Sequence, residues 1–292
     1  MAAAEGELRR GNRLFLAGLI LPSYTLLFLF VLVPLLLMLA TSLATDLPGG
    51  GRHISWTLAN YAAFFANGIY ASLTLRSLTL AAVTTAICLL LALPVAYGLA
   101  RVFRHARLFL LLMMIPFWSA SLLRAYSWVT VLQDGGPLQS ILQALRLIGP
   151  DVSLSDNVGA VVVALVHVYF PYMVLTVYSS MERIDGSLLE AARNLGAGPL
   201  RAFARVVLPL SLPGVIAGCI LVFIPAAGSF VEPRILGGTS SVMIGTIIDD
   251  QFNSVYNPTF GAALAFVLLL VILLILAITS RLLAFATARL GA

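Results

Sequence analysis

The residues best placed to do chemistry lie in one polar stretch, residues 182–213, where charge is combined with helical periodicity. Four arginines and three acids fall inside it: Arg183, Arg193, Arg201, Arg205, Glu182, Asp185 and Glu190. Charged residues make up only 10% of the whole chain, against about 25% in an average soluble domain, and the flanking sequences are apolar enough to lie in lipid. A polar segment between two membrane spans lies in water, so we expect this stretch to contact a soluble partner.

Several classes of active site are excluded by the rest of the sequence. The zinc-protease motif HExxH, the serine-hydrolase motif GxSxG and paired intramembrane acids are absent. All seventeen basic residues are arginine, whereas a P-loop ATPase needs a lysine on its phosphates. Cys88 and Cys219 lie in apolar runs, so we interpret them as small core residues. We therefore expect no catalytic, cofactor-binding or metal-binding residues in this chain, and any ATP hydrolysis to come from a partner.

Within the polar stretch, the pattern predicts a short helix, a tight turn and a second helix. Ser187 and Glu190 have the spacing of a capping box, in which each side chain satisfies a free backbone N–H at a helix start. Gly196 stands where a helix ends in a left-handed residue, and Pro199 suits the first position of a new helix. The first helix carries one apolar stripe, formed by Leu188, Ala192 and Leu195.

Six apolar runs predict six membrane-spanning helices: residues 14–45, 77–100, 108–132, 157–181, 206–231 and 251–280. A helix needs about 20 apolar residues to cross the hydrocarbon core, and only the third run is interrupted by a charge, Arg124. The first run is too long for the apolar core of a signal peptide, which has about 7–15 residues, so we interpret it as an uncleaved span. Between the spans we expect a polar and aromatic loop at 46–70, a short amphipathic helix within 139–156, and a glycine- and serine-rich loop at 232–250.

The arginines predict the orientation of these spans. With six spans both termini lie on the same side, and twelve arginines then fall on that side against three on the other. An excess of arginine marks the cytoplasmic side. We therefore expect a cytoplasmic N-tail (1–13), a six-helix transmembrane domain (14–284) and a C-tail (285–292), with both termini in the cytoplasm.

The polar stretch resembles the EAA loop of the permease subunits of bacterial binding-protein-dependent ABC importers. That family's pattern is Glu-Ala-Ala, three residues, Gly, nine residues, Ile, one residue and Leu-Pro. This chain matches every spacing and departs only in having valine for isoleucine: Glu190-Ala191-Ala192, Gly196, Val206 and Leu208-Pro209. The resemblance implies that residues 182–205 form a cytoplasmic coupling loop, including Asp185, Ser187 and Leu195, whose helix docks into a groove on a separate ATPase subunit. The alternatives for this stretch are a nucleic-acid-binding helix-turn-helix and a plain solvated loop.

Other segments resemble the polyamine (spermidine/putrescine)-type branch of the same family. They are the third-span motif RAYSW at 124–128, the triplet YSS at 178–180, and FIPAAGSFVEP at 223–233. In that branch the fifth span unwinds near a central cavity, and Pro225 and Gly228 make such a break physically reasonable because freed backbone can line a cavity. Ser229 is a departure, because polyamine permeases often carry an acid there. Tyr256-Asn257-Pro258 is another, where the branch often has Asn-Trp-Pro.

Nine residues in or beside the spans are candidates for the translocation path: Arg124, Tyr126, Trp128, His167, Tyr169, Tyr178, Gly228, Ser229 and Glu232. A charge within a span usually faces a bundle interior or a water-filled path, although Arg124 can also extend its head to the interface. His167 is either a hydrogen-bonded packing residue or a functional one. Gly214 and Gly218 form a GxxxG face, which either contacts a second permease subunit or packs within this one.

These observations predict an all-α integral membrane protein of the bacterial inner membrane, with six transmembrane helices, a cytoplasmic coupling helix and the type I ABC importer permease fold. The resemblance implies a non-catalytic subunit that moves a small solute, such as spermidine or putrescine, by alternating access. It also implies its partners: a second permease, two ATPase subunits that bind ATP and Mg, an external solute-binding protein and membrane lipid, but no nucleic acid. The alternatives are the same machinery for an opine, an aminophosphonate or an inorganic ion, a stand-alone carrier or channel, and a membrane-embedded enzyme.

Overall fold

The architecture is almost entirely helical. The computed structural model describes residues 2–46, 52–53, 56–149 and 151–290. Their helices, in chain order, are α1 (Ala2–Ser42), α2 (Ala59–Ala66), α3 (Gly68–Arg101), α4 (Ala106–Met114), α5 (Ser121–Leu132), α6 (Pro137–Ala144), α7 (Val158–Glu182), α8 (Gly186–Asn194), α9 (Pro199–Ala202), α10 (Leu208–Ala227), α11 (Val231–Leu236), α12 (Ile244–Asn253) and α13 (Pro258–Leu290). Two strands of two residues each, β1 (Thr45–Asp46) and β2 (Arg52–His53), pair antiparallel between α1 and α2.

Five helical segments are long and apolar enough to cross a membrane: α1, α3, α7, the continuous run from α9 into α10, and α13. The predicted third span is the exception, because it is broken rather than straight. The apolar helices on either side of a 3₁₀ turn, Ile115–Trp118, meet at 90°. Pro116 lies in that turn and has no N–H to donate, and Ser119 and Ala120 are extended. The all-helical fold with six spans is confirmed when this bent pair is counted as one span.

Several predicted boundaries are wrong. The α3 helix begins at Gly68 rather than at 77, whereas α13 begins at Pro258, inside the run 251–280 expected to contain the sixth span. The stretch 232–250, predicted as a loop, holds α11 and the first part of α12. Its small residues form only the turn between these helices, where Gly238 has φ +54°. The start of α12 is fixed by a long-range contact, because the Ile244 N–H donates to the buried Ser77 Oγ at 2.8 Å.

The short amphipathic helix expected within 139–156 is confirmed as α6, although it ends at Ala144. The expected loop at 46–70 contains α2, which is fixed to the end of α1. The Asn60 amide donates to the carbonyl oxygens of Ser42 and Ala44, both at 3.0 Å. The Tyr61 hydroxyl lies 2.7 Å from Ser42 Oγ. These contacts hold α2 against the first span, and α3 follows α2 after a single residue, Asn67.

The core is centred on α7, which packs against α3 and α10. Its buried face includes Met173, Val174 and Val177, all fully enclosed. Tyr169 contacts all three clusters of buried apolar residues in the fold. In contrast, most of the described side chains of α1 are exposed; Phe30, for example, is 72% exposed. Such a surface suits lipid or an apolar partner rather than water.

The GxxxG face of α10 packs against α7 within this chain. A Cβ atom on Gly214 would lie 2.4 Å from Ser180 Cβ, and one on Gly218 would lie 2.5 Å from Thr176 Oγ1. Real Cβ atoms do not approach so closely, so the two helices meet at this distance only because both positions are glycine. Packing within the subunit is confirmed, and contact of this face with a second permease stays a prediction.

Replacing Gly218 with valine is expected to destabilise the fold. The new side chain would collide with Thr176 Oγ1 and with Met173 Sδ, which is 2.6 Å from the Cβ position, and overpacking of this kind costs about 1–3 kcal/mol. Thermal unfolding of the purified chain measures the effect. Ala217→Val is the control, because Ala217 is exposed on the same helix. Equal melting temperatures for the two variants would contradict the role given to this contact.

Candidate functional site

The polar stretch folds as predicted into a short helix, a turn and a second helix that enters the membrane. Helix α8 follows α7 after three residues, and α9 continues through a π-helical segment, Phe203–Val207, directly into α10. Pro199 and Pro209 lie in the first turns of α9 and α10, although the chain stays helical through Pro209. The stretch is therefore joined without a flexible break to α10.

The start of α8 differs from the prediction. Asp185 is the N-cap, and its Oδ1 accepts the Ser187 N–H at 3.0 Å. The capping box of Ser187 with Glu190 is wrong, because the helix begins at Gly186 and Ser187 already lies inside it. Aspartate and serine are about equally good N-caps, so residue type could not choose between positions 185 and 187. The hydrogen bonds from Ser187 hold the pKa of the Asp185 carboxyl below its usual value.

The end of α8 is the predicted glycine cap. Gly196 has φ +78°, its N–H donates to Arg193 O at 2.9 Å, and the Ala197 N–H donates to Ala192 O at 3.0 Å. This pair of bonds is the Schellman motif, which satisfies the last free carbonyls of a helix. A β-branched residue at position 196 would be strained, because positive φ is a genuine outlier for such side chains.

Helix α8 buries one leucine and exposes others. Leu189 is only 6% exposed and packs with Ile184 and Val207. Leu188 is 46% exposed and Leu195 is 88% exposed. The predicted stripe thus faces outward apart from Ala192, which is half-buried. The sequence prediction missed Leu189, the buried side chain that holds α8 against the core. Its neighbour Leu188 is also leucine, so residue type could not show which of the two is buried.

The base of the stretch is fixed by Arg101, at the end of α3. Its Nη2 donates to the carbonyl oxygens of Met181 and Ile184, at 3.1 and 2.5 Å. A cation at the C-terminus of a helix also interacts favourably with the helix dipole. Of the other expected coupling residues, Glu190 and Ala191 are exposed beside Leu188, and Leu208 is half-buried at the start of α10.

A second candidate site is a pocket of about 280 Å³ where the fifth span breaks. The chain stays helical through Pro225 and leaves the α-helix after Ala227, and the expected break at Gly228 is confirmed. Glu232, on α11, is only 6% exposed, and its carboxylate accepts a hydrogen bond from the buried Ser229 hydroxyl. The polar wall of the pocket consists of Ser121, Arg124, Tyr169, Gly228, Ser229 and Glu232.

Arg124 lines this pocket and also holds the broken third span together. Its Nη1 donates to the carbonyl oxygens of Pro116, Phe117 and Ser119, and its guanidinium carbon lies 5.4 Å from the centre of the Phe117 ring. One guanidinium nitrogen of Arg124, Nη1, therefore satisfies backbone that the break has freed. The sequence singled out Arg124, but the carbonyl groups that it binds had no sequence signal.

The remaining path candidates lie elsewhere. The Trp128 indole N–H donates to His167 Nδ1 at 3.2 Å, and both rings line a neighbouring apolar pocket of about 380 Å³. This hydrogen bond matches the interpretation of His167 as a packing residue. Tyr126 is 60% exposed and does not line either pocket. Tyr178 is buried near the far end of α7, one turn before Glu182.

Comparisons with known proteins identify the family. The profile of the family described as "Binding-protein-dependent transport system inner membrane component" matches residues 9–289. The chain belongs to this family. It is a multi-pass permease of the inner membrane, which confirms the resemblance drawn from the EAA pattern.

The permease is similar in sequence to several curated proteins. It is 38% identical to the spermidine/putrescine transport system permease protein PotB of Escherichia coli (strain K12), over 87% of this chain and 93% of that protein. It is 37% identical to PotB of Haemophilus influenzae, over 83% and 85%. It is 34% identical to the inner membrane ABC transporter permease protein YdcU of E. coli, over 78% and 77%.

Solved structures show the same fold at low sequence identity. A bacterial ABC transporter involved in the import of the acidic polysaccharide alginate has a chain that matches with a TM-score of 0.72 at 15% identity, over 93% of this permease and 96% of that chain. The MetNI methionine ABC transporter matches with a TM-score of 0.54 at 19% identity, over 72% and 92%. These similarities confirm the expected type I permease fold.

Proposed function

We propose that this permease moves a polyamine, such as putrescine or spermidine, through the membrane by alternating access, as one subunit of an ATP-driven importer. The names of the relatives support the substrate class. The observation that carries the proposal is Glu232, a buried carboxylate in the wall of a pocket beside the broken fifth span. A buried charge is costly unless it is paired, and the ammonium group of a polyamine is a suitable partner.

Glu232 also supplies the acid that polyamine-type permeases often have at the position of Ser229. Polyamine-type permeases often have an acid where this chain has Ser229, and a hydroxyl alone cannot balance a dication. Here Ser229 donates its hydrogen bond to Glu232, so an acid is present in the same pocket although it comes three residues later. The Tyr169 ring lies in the same wall and offers a cation–π contact of about 0.5–2 kcal/mol.

Arg124 is the charge that would oppose a cation in this pocket. Three backbone carbonyl oxygens accept hydrogen bonds from its Nη1, and their dipoles offset part of its positive charge. We infer that the pocket binds one amine group beside Glu232, while Arg124 stabilises the backbone of the broken third span through its hydrogen bonds.

Replacing Glu232 with glutamine is expected to lower polyamine uptake. The change keeps the shape and removes the charge, and a hydrogen bond to a charged group contributes about 1.5–3 kcal/mol, or roughly tenfold to a hundredfold in apparent affinity. Uptake of labelled putrescine and spermidine is measured in cells that express the permease with its partner subunits. Asp151→Asn is the control, because Asp151 is exposed and outside the pocket.

Competition assays on the same cells test the solute class itself. Unlabelled putrescine or spermidine should suppress uptake, whereas opines and aminophosphonates should not. Suppression only by anionic or zwitterionic solutes would remove the polyamine proposal, even if Glu232→Gln were inactive.

We further propose that α8 docks on an ATPase subunit and that ATP hydrolysis belongs to that partner. The exposed leucines Leu188, Leu195 and Leu200 support this proposal, because they form apolar surface beside charged residues on a segment expected in water. A second permease subunit would complete the path, and an external binding protein would deliver the solute. Asp185, Ser187, Glu190, Ala191 and Ala192 belong to the same docking helix.

The coupling proposal predicts that Gly196→Val uncouples transport. Valine at φ +78° is strained, so the end of α8 and the leucines beside it should be displaced, while the spans still insert. Solute-stimulated ATP hydrolysis of the reconstituted complex is expected to fall to its basal rate. Gly198→Val is the matched control, because Gly198 has open space at its Cβ position and ordinary backbone angles. Normal stimulation in Gly196→Val would refute the coupling role.

We propose, finally, that both termini and the coupling segment lie in the cytoplasm, on the basis of the arginine distribution. Single cysteines at positions 190 and 151, both exposed, are introduced after Cys88 and Cys219 have been replaced with alanine. A membrane-impermeant thiol reagent added to intact cells should label position 151 alone. Labelling of position 190 without position 151 would reverse the orientation.

A further inference from the structure

A second polar pocket lies at the other end of α7, away from Glu232. It has a volume of about 540 Å³ and is formed where the end of α3 and the start of α4 pack beside the last turns of α7. Its lining combines basic, acidic and apolar side chains: Phe103, Arg104, His105, Arg107, Leu108 and Glu182. We propose that this pocket binds the phosphate headgroup of an anionic phospholipid.

The charge of the pocket is available to a ligand. Arg104, His105 and Arg107 are exposed, and among the described residues neither arginine forms a salt bridge. The one acid in the wall, Glu182, is exposed and forms no salt bridge with either arginine. Two guanidinium groups with no carboxylate partner favour a phosphate, which arginine binds with good geometry.

The depth of the pocket in the membrane favours a lipid. Helix α3 is a membrane span that ends at Arg101, and the apolar helix α4 begins at Ala106. The connecting residues therefore lie where the chain leaves the hydrocarbon, at the level of phospholipid headgroups. Basic pockets between transmembrane helices at this level bind anionic headgroups.

The margin of the pocket is apolar and largely exposed. Phe103 is 62% exposed and Leu108 is 55% exposed, and both line the pocket. The Phe103 ring stacks on that of Phe109, with centroids 6.4 Å apart and planes at 19°. A soluble anion would leave this surface uncovered, whereas the acyl chains of a lipid would cover it while its phosphate contacts the arginines.

Lipid binding by the purified full-length permease tests the proposal. Native mass spectrometry in detergent compares phosphatidylglycerol with phosphatidylcholine, for the wild type and for the double variant Arg104→Gln, Arg107→Gln. The wild type should retain phosphatidylglycerol preferentially. The double variant should lose about tenfold or more in affinity for phosphatidylglycerol, because each basic residue near a membrane surface contributes about a factor of five.

The control is Arg193→Gln, Arg201→Gln, which removes the same charge from two exposed residues outside the pocket. It should bind phosphatidylglycerol within about twofold of the wild type, since its pocket is intact. An equal loss in both double variants would mean general attraction to charge and would overturn the proposal. The absence of a headgroup preference in the wild type would do so as well.

A third arm separates a lipid from a soluble phosphate. Glycerol 3-phosphate carries similar phosphate chemistry without acyl chains and should displace phosphatidylglycerol only weakly. Phe103→Ser leaves all three basic residues in place and should weaken phosphatidylglycerol binding by removing the apolar margin. Displacement by glycerol 3-phosphate at concentrations similar to those of the lipid, with no effect of Phe103→Ser, would assign the pocket to a soluble anion.

Discussion

The close packing of α10 on α7 is the contact on which the rest of the fold depends. Gly214 and Gly218 let the two backbones approach to a distance that no side chain would permit. Without water in the bilayer, association between helices relies on such packing rather than on the hydrophobic effect. Helix α7, which is fixed in this way, contributes Tyr169 to the wall of the proposed solute pocket. It ends at Glu182, where the polar stretch begins. Both candidate sites therefore adjoin the same firmly packed helix, α7.

Two of the spans are broken, and in the third span the break is stabilised by a side chain. A helix that is interrupted in the membrane frees carbonyl and N–H groups that water cannot satisfy. Arg124 binds the carbonyls released between α4 and α5. Ser229, just after the end of α10, donates instead to Glu232. The pocket thus lies where the third and fifth spans are both irregular, which is where polar groups at membrane depth can be tolerated.

The sequence predicted the fold class, most of the spans and the helix–turn–helix of the polar stretch, because apolar runs and the EAA spacing are local signals. The left-handed conformation of Gly196 was predictable for the same reason. The break at residues 115–120 was not, since Pro116 and Arg124 act together only after the chain has bent. The helices within 232–250 were hidden for a similar reason: the contact of Ile244 with Ser77 joins residues far apart in the sequence. The burial of single side chains was also not predictable, because of the two adjacent leucines Leu188 is exposed and Leu189 is buried.

The polar stretch, residues 182–213, is held at both ends. On one side Arg101 fixes the end of α7, and Leu189 is buried against Ile184 and Val207. On the other side α9 continues through π-helical residues into α10, which leads to the pocket at Ser229. Single π-helical turns occur frequently at functional sites, and this one lies at the base of the span whose far end forms the pocket wall. The polar stretch is therefore connected to the pocket by continuous helix from α9 to the end of α10, and the close packing of α10 on α7 joins the two helices into one unit.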